Sequence, residues 1–580
     1  MPGPERPRTP PAPGSWRDPR QWVKVARTES RPAPLSTDPS TPVAAPPASP
    51  RSEKLNTRAA GVVGLAVLCS RVLGLVREQV FAALFGGAAL MDAFTIAFRI
   101  PNLLRDLFAE GALSTAFITV FSKTMTLEGD RSAWRLADKI ATLAVIVLSA
   151  ITILGIIFAP WLVSVLAPGF VGAKAELTIT LTRIMYPFIL LVSLAALVMG
   201  MLNARNVFGV PAMASSFFNL GSIVGGVALG WWLDPKFGAR ALLGMAVGTL
   251  IGGALQLLVQ LPSLRRAGYR YRPDLHWRDR GVGAILRLMG PSVIAASTTQ
   301  VNVLVNSIFA SELGNGPTAW LSIAFRLMQL PLGIFGVALG TVATPLLARL
   351  AATGNLAAFR GELARGMRLA FLMTIPCTIG LVLLADPIIS VLYQHGRFTA
   401  HQAAESAAAL RLYALGLCGY AALKVLVNAF YAIDKRKTPM VVSFIAVGLN
   451  LLLNWIFTVR LGWGHRGLAF STACIATSNF LILYALMRRH LRLLESRAML
   501  VLFGRLTLAC GALALICWAG GHFLLSGWAT QALVPKLAAL LLTIACGAAV
   551  FIACAAALGV AEVHEVLRAL QRRLARSVGA

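Results

Sequence analysis

The chain has 580 residues, of which 57% are hydrophobic and only 13% charged, with a formal net charge of +29 and a mean hydropathy of +0.72. That balance excludes an ordinary soluble protein and reads as a polytopic membrane protein. The Lys and Arg surplus is first explained by basic cytoplasmic loops, and no basic domain interleaved with aromatics is present to bind nucleic acid.

In chain order, residues 1–54 form a Pro/Arg-rich extension without apolar periodicity, expected to be disordered and lacking the apolar core of a signal peptide. The next methionine is Met91, inside an apolar run, so a start of translation near Leu55 would also account for this extension. From Ala59 there follow roughly fourteen apolar segments of the ~20 residues or more that a bilayer requires. They are Ala59–Leu84, Ala88–Ser122, Ile140–Leu166, Leu177–Asn203, Val210–Leu233, Ala241–Leu261, Val282–Leu313, Pro317–Leu350, Met367–Tyr393, Ala403–Ala432, Met440–Val459, Gly467–Met487, Met499–Leu525 and Leu537–Leu558. Continuous apolar runs of this kind predict helices; a barrel would alternate apolar and polar residues. The predicted fold class is therefore an all-α polytopic membrane protein.

Basic residues cluster before the first span (Arg51, Lys54, Arg58), after the second (Lys123, Arg131, Arg135), after the sixth (Arg265, Arg266, Arg270, Arg272), and then after the eighth, tenth and twelfth. The intervening loops, such as Gly86–Gly87, Ala167–Lys174 and Gly314–Gly316, are poor in them, which predicts cytoplasmic termini. A repeat is also visible. Ile96-Ala97-Phe98-Arg99 recurs as Ile323-Ala324-Phe325-Arg326, an offset of 227 residues, and Pro211 recurs as Pro439 at 228. An even number of crossings separates the copies, so two parallel six-helix lobes are expected, residues 55–263 and 264–490. Residues 491–580 supply two extra helices and a tail with Val563, Leu567, Leu570 and Leu574 on one face and Arg568, Arg572, Arg573 and Arg576 around it, as in an interfacial helix.

Charge inside these spans is the functional signal. Ser70 to Thr119 carries Arg71, Arg77, Glu78, Asp92, Arg99, Arg105, Asp106 and Glu110. At ~100° per residue, Asp92, Arg99, Asp106 and Glu110 share one broad helix face that Pro101 is expected to bend, whereas Arg71 and Arg77 lie about 120° apart. Arg remains ionised when desolvated and its planar fork fits phosphate or carboxylate, so the surplus of guanidinium groups points to an anionic substrate. The acids read equally well as ion-pair partners that hold helices together. Lys424 either reaches the cavity or snorkels to the surface. Asn302/Asn306 and Asn450/Asn454, at i, i+4 spacing, read as interhelical hydrogen-bonding pairs, and Arg183 and Arg411 as structural. The eight cysteines lie in apolar runs without a CxxC, and the seven histidines fall in loops or span ends, so neither a metal site nor a cofactor is expected.

Ser70-Arg71-Val72-Leu73-Gly74, Arg77, Gly86, Asp92-Ala93-Phe94, Pro101-Asn102-Leu103-Leu104-Arg105 and Phe108-Ala109-Glu110-Gly111-Ala112 resemble the MurJ/MviN family, lipid II flippases of the multidrug/oligosaccharidyl-lipid/polysaccharide exporter superfamily. The resemblance continues through Met289-Gly290-Pro291, Arg326-Leu327-Met328, Gly336 to Thr341 and Gly396 to Ala400, and covers the chain from Ala59 onward. It implies transfer of an undecaprenyl-linked disaccharide pentapeptide between leaflets of the bacterial inner membrane, with no bond made or broken. It also implies lipid II and membrane lipids as partners, and cell-wall synthesis proteins as further candidates. Carried over by position, Arg77, Arg105 and Arg326 become diphosphate-cavity residues, with Ser70, Arg71, Asn102, Asp92 and Glu110 as partners that bind, gate or support; from their charge alone, Glu78, Arg99 and Lys424 are further gating or supporting candidates. Phe325 stands where relatives often carry an acid, Asp106 where they carry a base, and Asn454 where a carboxylate would favour a sodium-coupled mechanism; coupling to membrane potential is the expectation here. Rival readings are an exporter of another lipid-linked oligosaccharide or of drugs, a polyprenyl-phosphate transferase, and a non-transporting scaffold.

Overall fold

Wherever they are described, the predicted apolar segments coincide with helices in the computed structural model. It describes residues 57–106, 113–491, 496–525 and 532–564, with their side chains except at 57–62, 291–292, 294–296, 299, 336–343 and 496–498. The predicted extension 1–54, Glu110 and the basic tail beyond 564 thus lie outside the described residues. The first half contains α1 (Thr57–Phe85), α2 (Ala89–Arg105), α3 (Ser114–Glu128), α4 (Asp130–Ile157), α5 (Ala159–Leu166), α6 (Ala173–Met185), α7 (Phe188–Ala204), α8 (Gly209–Leu233), α9 (Ala241–Leu258) and α10 (Leu261–Arg266). The second half contains α11 (Arg280–Ser311), α12 (Pro317–Ala352), α13 (Leu356–Leu383), α14 (Ala385–Tyr393), α15 (Ala400–Ala414), α16 (Leu417–Ala432), α17 (Lys437–Trp455) and α18 (Gly464–Leu491). Then come α19 (Ser496–Ala519) and α20 (Leu533–Ala557), and no strand occurs among the described residues. Among the described residues, ten helical stretches, with α6–α7 and α9–α10 each taken as one, or eleven counting the bent α15–α16 pair, are long and apolar enough to cross a bilayer. The chain is an all-α multi-pass membrane protein.

Several predicted spans prove to be broken. The third divides into α4 and α5 at Phe158, and the fourth into α6 and α7 at Tyr186-Pro187, where proline cannot donate to the helix ladder. Their counterparts break similarly: α13 gives way to α14 at Leu384, and α15 turns into α16 by 42°. Arg183 donates to the Ile156 carbonyl at 3.3 Å and Arg411 to that of Val382 at 3.4 Å, so each arginine serves a carbonyl just before the break. These two residues have the structural role expected of them. Pro101, by contrast, does not end its helix: α2 runs through it to Arg105. The predicted second span is described as α2 and, from Ser114, as α3, and residues 107–112 between them lie outside the described residues.

The same pairings occur in both halves. α1 packs on α8 as α11 packs on α17; α2 on α6 as α12 on α15; α8 on α9 as α17 on α18; α7 on α9 as α16 on α18. Between α8 and α9 the backbones nearly touch, since a Cβ on Gly248 would sit 2.2 Å from the Gly226 nitrogen. In lipid, where apolar surface supplies no driving force between helices, such close van der Waals approach is what holds a pair together. α19 and α20 continue the apolar core of the second half through Leu502, Leu506, Leu540 and Phe551. The expected amide pairing is present between α11, α17 and α18. Asn450 donates to Asn302 at 2.8 Å, Asn454 donates to Asn306 at 2.8 Å and to Asn450 at 2.7 Å, Asn306 to Thr472 at 3.1 Å, and Ser471 to Asn454. Each amide is thereby satisfied by its neighbours, as buried polar groups require.

Candidate functional site between the two halves

Helix α1 presents Arg77 and Glu78 at its middle, both less than a tenth exposed. The Arg77 guanidinium lies 5.0 Å from the Phe218 ring centre and 5.9 Å from that of Phe98, a cation–π seat that leaves its charge uncancelled. Its charged neighbours are Arg326, Glu78 and Arg105. Arg326, from α12 of the other half, reaches Glu78 Oε1 at 2.5 Å with its side chain still 42% exposed. Arg105 bonds the adjacent Asp106 at 2.8 Å, and Gln300 of α11 donates to the other Asp106 oxygen at 3.3 Å. Three arginines from both halves therefore converge on a place where Glu78 and Asp106 supply the carboxylates among the described residues. Arg99, next along α2, donates to Ser307 of α11 at 2.5 Å, tying the halves together at the edge of this cluster.

Not every predicted residue joins it. Arg71 is exposed, and a Cβ on Gly333 of α12 would lie 2.3 Å from its Nη1; Lys424, also exposed, is a like charge in its neighbourhood. The Ser70 carbonyl accepts from Asn219 of α8 at 3.1 Å, a helix-packing bond. Asn102 is half-buried on α2.

Asp92 lies apart from the arginines. It is fully buried at the start of α2 and accepts from the backbone N–H of Gly316 at 2.7 Å and Ala319 at 2.9 Å, so it caps α12 of the opposite half. Lys174 pairs with it at 2.9 Å and also donates to Asn315 at 3.0 Å and the Gly314 carbonyl at 3.3 Å. Further bonds between the halves lie in the same set of basic-poor loops. Gly87 N–H donates to Gln402 at 2.8 Å, and Arg397 N–H to the Ala83 carbonyl at 2.8 Å. The Arg397 guanidinium donates to the Phe237 carbonyl at 2.7 Å and that of Lys236 at 2.5 Å, and Gly169 N–H to Ser311 at 3.3 Å. Gly396, at φ +60°, brings its backbone so near that a Cβ would lie 2.3 Å from the Ala83 oxygen. The arginine cluster is thus closed off at the basic-poor face by a polar seam.

Comparison with known proteins resolves the family. The model of the family described as lipid II flippase MurJ matches residues 81–539. A lipid II flippase MurJ of Burkholderia cenocepacia is 34% identical over 473 residues, covering 80% of this chain and 90% of that protein. The chain belongs to the MurJ family. A probable lipid II flippase MurJ of Buchnera aphidicola subsp. Acyrthosiphon pisum is 36% identical over 425 residues, covering 73% of this chain and 81% of that protein. The fold agrees with a structure described as lipid II flippase MurJ in an inward closed conformation, at a TM-score of 0.67 and 24% identity over 84% of this chain and 98% of that one. An inward-facing multidrug resistance MATE family transporter shares the fold more distantly, at a TM-score of 0.57, 16% identity, and 75% and 94% coverage.

The two positions that the resemblance marked as unusual, Phe325 and Asp106, have local partners. Phe325 packs edge-on against Tyr413 at 5.3 Å, and the acid that Arg326 needs comes from Glu78 of the other half. Asp106 is taken up by Arg105 and Gln300. Sequence reasoning missed Lys174, Ser307 and Gln402, and it met Arg397 only as part of the stretch Gly396 to Ala400. Lys174 carried a signal, as a basic residue in a loop otherwise poor in them; the others are ordinary polar residues until the halves are brought together.

Proposed function

We propose that this chain carries lipid II from the inner to the outer leaflet of the bacterial cytoplasmic membrane by alternating access of two lobes, residues 55–263 and 264–490. Family membership supports the cargo, and the observation that carries the mechanism is the meeting of Arg77, Arg105 and Arg326 from both lobes around a minority of carboxylate charge. A diphosphate supplies the missing negative charge, and guanidinium forks bind it bidentately. Arg71, Ser70, Asn102, Arg99 and Lys424 border the cargo's path, and Asp92, with Glu110, serves the gate.

The basic loops support cytoplasmic termini, and with that orientation the polar seam lies at the periplasmic face and this state is closed to the outside. Transport of this kind moves charge across a barrier without making or breaking a covalent bond, so the chain acts as a carrier and not as an enzyme. Besides lipid II, its partners are membrane lipids and the enzymes that make and use the precursor, and α19 and α20 form an accessory pair of helices. An exporter of another lipid-linked oligosaccharide shares the diphosphate chemistry but is not favoured by the relatives.

Complementation separates the two. In a strain depleted of its own lipid II flippase, the unaltered chain restores growth, and Arg77→Ala, Arg105→Ala and Arg326→Ala, at equal membrane levels, do not. An inserted chain that fails to rescue removes lipid II as cargo, and rescue by the arginine variants removes the cationic cavity as its path.

A further inference from the structure

We infer that the segment joining the two halves, residues 267–279, is a docking surface for anionic phospholipid headgroups in the leaflet at the basic end of the bundle, separate from the arginine cluster between the halves.

The segment is fastened to the side of α4 at a definite height. Arg272 N–H donates to Asp138 at 3.1 Å, Asp274 N–H donates to the Thr142 hydroxyl at 3.1 Å, and the hydroxyls of Tyr271 and Thr142 share a hydrogen bond of 2.9 Å. Tyr269 is buried with its ring centre 5.2 Å from that of Trp134 on the same helix, and Asp279 pairs with Lys139 at 2.7 Å. Asp138 and Thr142 straddle Ile140, where the third apolar run begins. At 1.5 Å per residue, Thr142 stands about 3 Å inside that run, so a segment bonded to both residues follows the edge of the hydrocarbon layer instead of projecting into bulk water.

What the segment exposes suits that depth. Tyr271 is 48% exposed, Leu275 64% and Trp277 59%, an apolar group that no other part of the chain covers. Aromatic and aliphatic side chains set among arginines are the combination that seats at the boundary of headgroups and acyl chains, with the apolar parts inward and the charged heads among phosphates. Arg265, Arg266, Arg270, Arg272, Arg278 and Arg280 are all exposed in or beside the segment. Its acids are already engaged. Asp274 lies 2.5 Å from the His276 ring Nδ1 and accepts from the His276 backbone N–H at 3.0 Å, while Asp279 serves Lys139 and the Gly281 N–H. The guanidinium groups therefore present a net positive face, with that of Arg278 5.0 Å from the Trp277 ring centre. Each can fork a headgroup phosphate, and an anionic lipid, lacking the ammonium of a zwitterionic one, leaves that attraction uncancelled. The depth favours lipid over a protein, which would have to reach these side chains within the headgroup layer.

The place of the segment in the chain gives this contact a consequence. Its bonds to α4 keep it with the first half, and Asp279 at its end caps α11, from which the second half departs. Lipid seated on it holds the root of α11 at a fixed depth while the halves move.

The test uses the full chain in nanodiscs of phosphatidylcholine alone and of phosphatidylcholine with phosphatidylglycerol, read by amide hydrogen exchange over residues 275–278. The bonded amides of Arg272 and Asp274 serve as the internal reference. Exchange at 275–278 is slower by about fivefold or more in the anionic nanodiscs, and added salt removes most of the difference. Replacing Arg270, Arg272, Arg278 and Arg280 together by Gln abolishes the dependence on lipid charge. Should that variant fail to fold, Leu275→Ser with Trp277→Ser speeds exchange in both kinds of nanodisc. Equal exchange of the unaltered chain in the two lipid compositions overturns the inference and gives the exposed face to a protein partner. Slowing that survives loss of the four arginines overturns it as well, since charge is then not what recognises the lipid. The pyrophosphate-bearing cargo is absent throughout, so the outcome is independent of the transport proposed above.

Discussion

Asp92→Asn is the sharpest test of the closed face. The carboxylate accepts from two backbone N–H groups of the opposite half at 2.7 and 2.9 Å and pairs with Lys174 at 2.9 Å, with no exposure of its own. Asparagine retains one acceptor oxygen, so one N–H bond survives. Its amide group, however, is a donor turned toward another N–H and an ammonium. A hydrogen bond to a charged group contributes about 1.5–3 kcal/mol, and a donor left facing donors costs a similar amount. Lys174 recovers part of this through Asn315, the Gly314 carbonyl and the face of the Phe170 ring at 3.8 Å. The net loss is roughly 2–3 kcal/mol, a shift of about 30- to 150-fold toward the open seam. Spin labels at Val171 and His401, exposed residues of opposite halves near the seam, report it as a longer distance population in Asp92→Asn. An unchanged distance distribution in a folded variant would refute the claim that this cap governs closure.

Two further outcomes follow from the same contacts. Asn454→Ala strands Ser471 and the carbonyl oxygens of Asn306 and Asn450, so it lowers the unfolding midpoint in detergent by an amount equivalent to about 1–3 kcal/mol; an unchanged midpoint would mean the ladder adds nothing to α11–α17–α18 packing. Asp279 caps α11 by accepting from Gly281 N–H at 2.7 Å and pairs with Lys139 at 2.7 Å, and the Lys139 hydrogen bond holds its carboxyl below the usual carboxylate range. A group depressed on folding stabilises above its unfolded value, near 3.9, and loses that contribution as the pH falls through its folded value. Asp279→Ala therefore costs about 1 kcal/mol at pH 7, and its deficit shrinks under acid, which paired melts at pH 7 and pH 3 will show.

What the sequence disclosed and withheld has a physical pattern. Hydropathy places a span wherever twenty apolar residues must hide their backbone from lipid, and so the helices of both halves were legible. The breaks were less so: Tyr186-Pro187 interrupts a helix whereas Pro101 does not, and only the neighbouring packing distinguishes them. Intramembrane arginines announced the cluster because charge there is costly. Their partners were hidden. Glu78 meets Arg326, and Asp92 meets Gly316 and Ala319, through contacts that exist only once the two halves face one another. A one-dimensional reading of α2 put Asp92 on a shared face with Arg99 and Asp106, yet the structure sends Asp92 to the loops of the polar seam and the other two to the arginine cluster.

The seam's chemistry suits a gate better than an apolar interface would. Shifting a two-state equilibrium from 1:99 to 99:1 requires about 5.5 kcal/mol of differential interaction. An interface of many buried apolar contacts would exceed that and could not be broken by a single cargo. Here the Asp92 cap, the Gly87–Gln402 bond and the Arg397 bonds to carbonyls are discrete polar contacts whose groups can rehydrate when the halves part. Their net contributions of about 1–3 kcal/mol each sum to the size of the switch. On the proposed mechanism, a diphosphate drawn among Arg77, Arg105 and Arg326 engages groups from both halves and so supplies an interaction of the same order. Closure and cargo binding are thereby matched in strength, and either can be made to yield to the other.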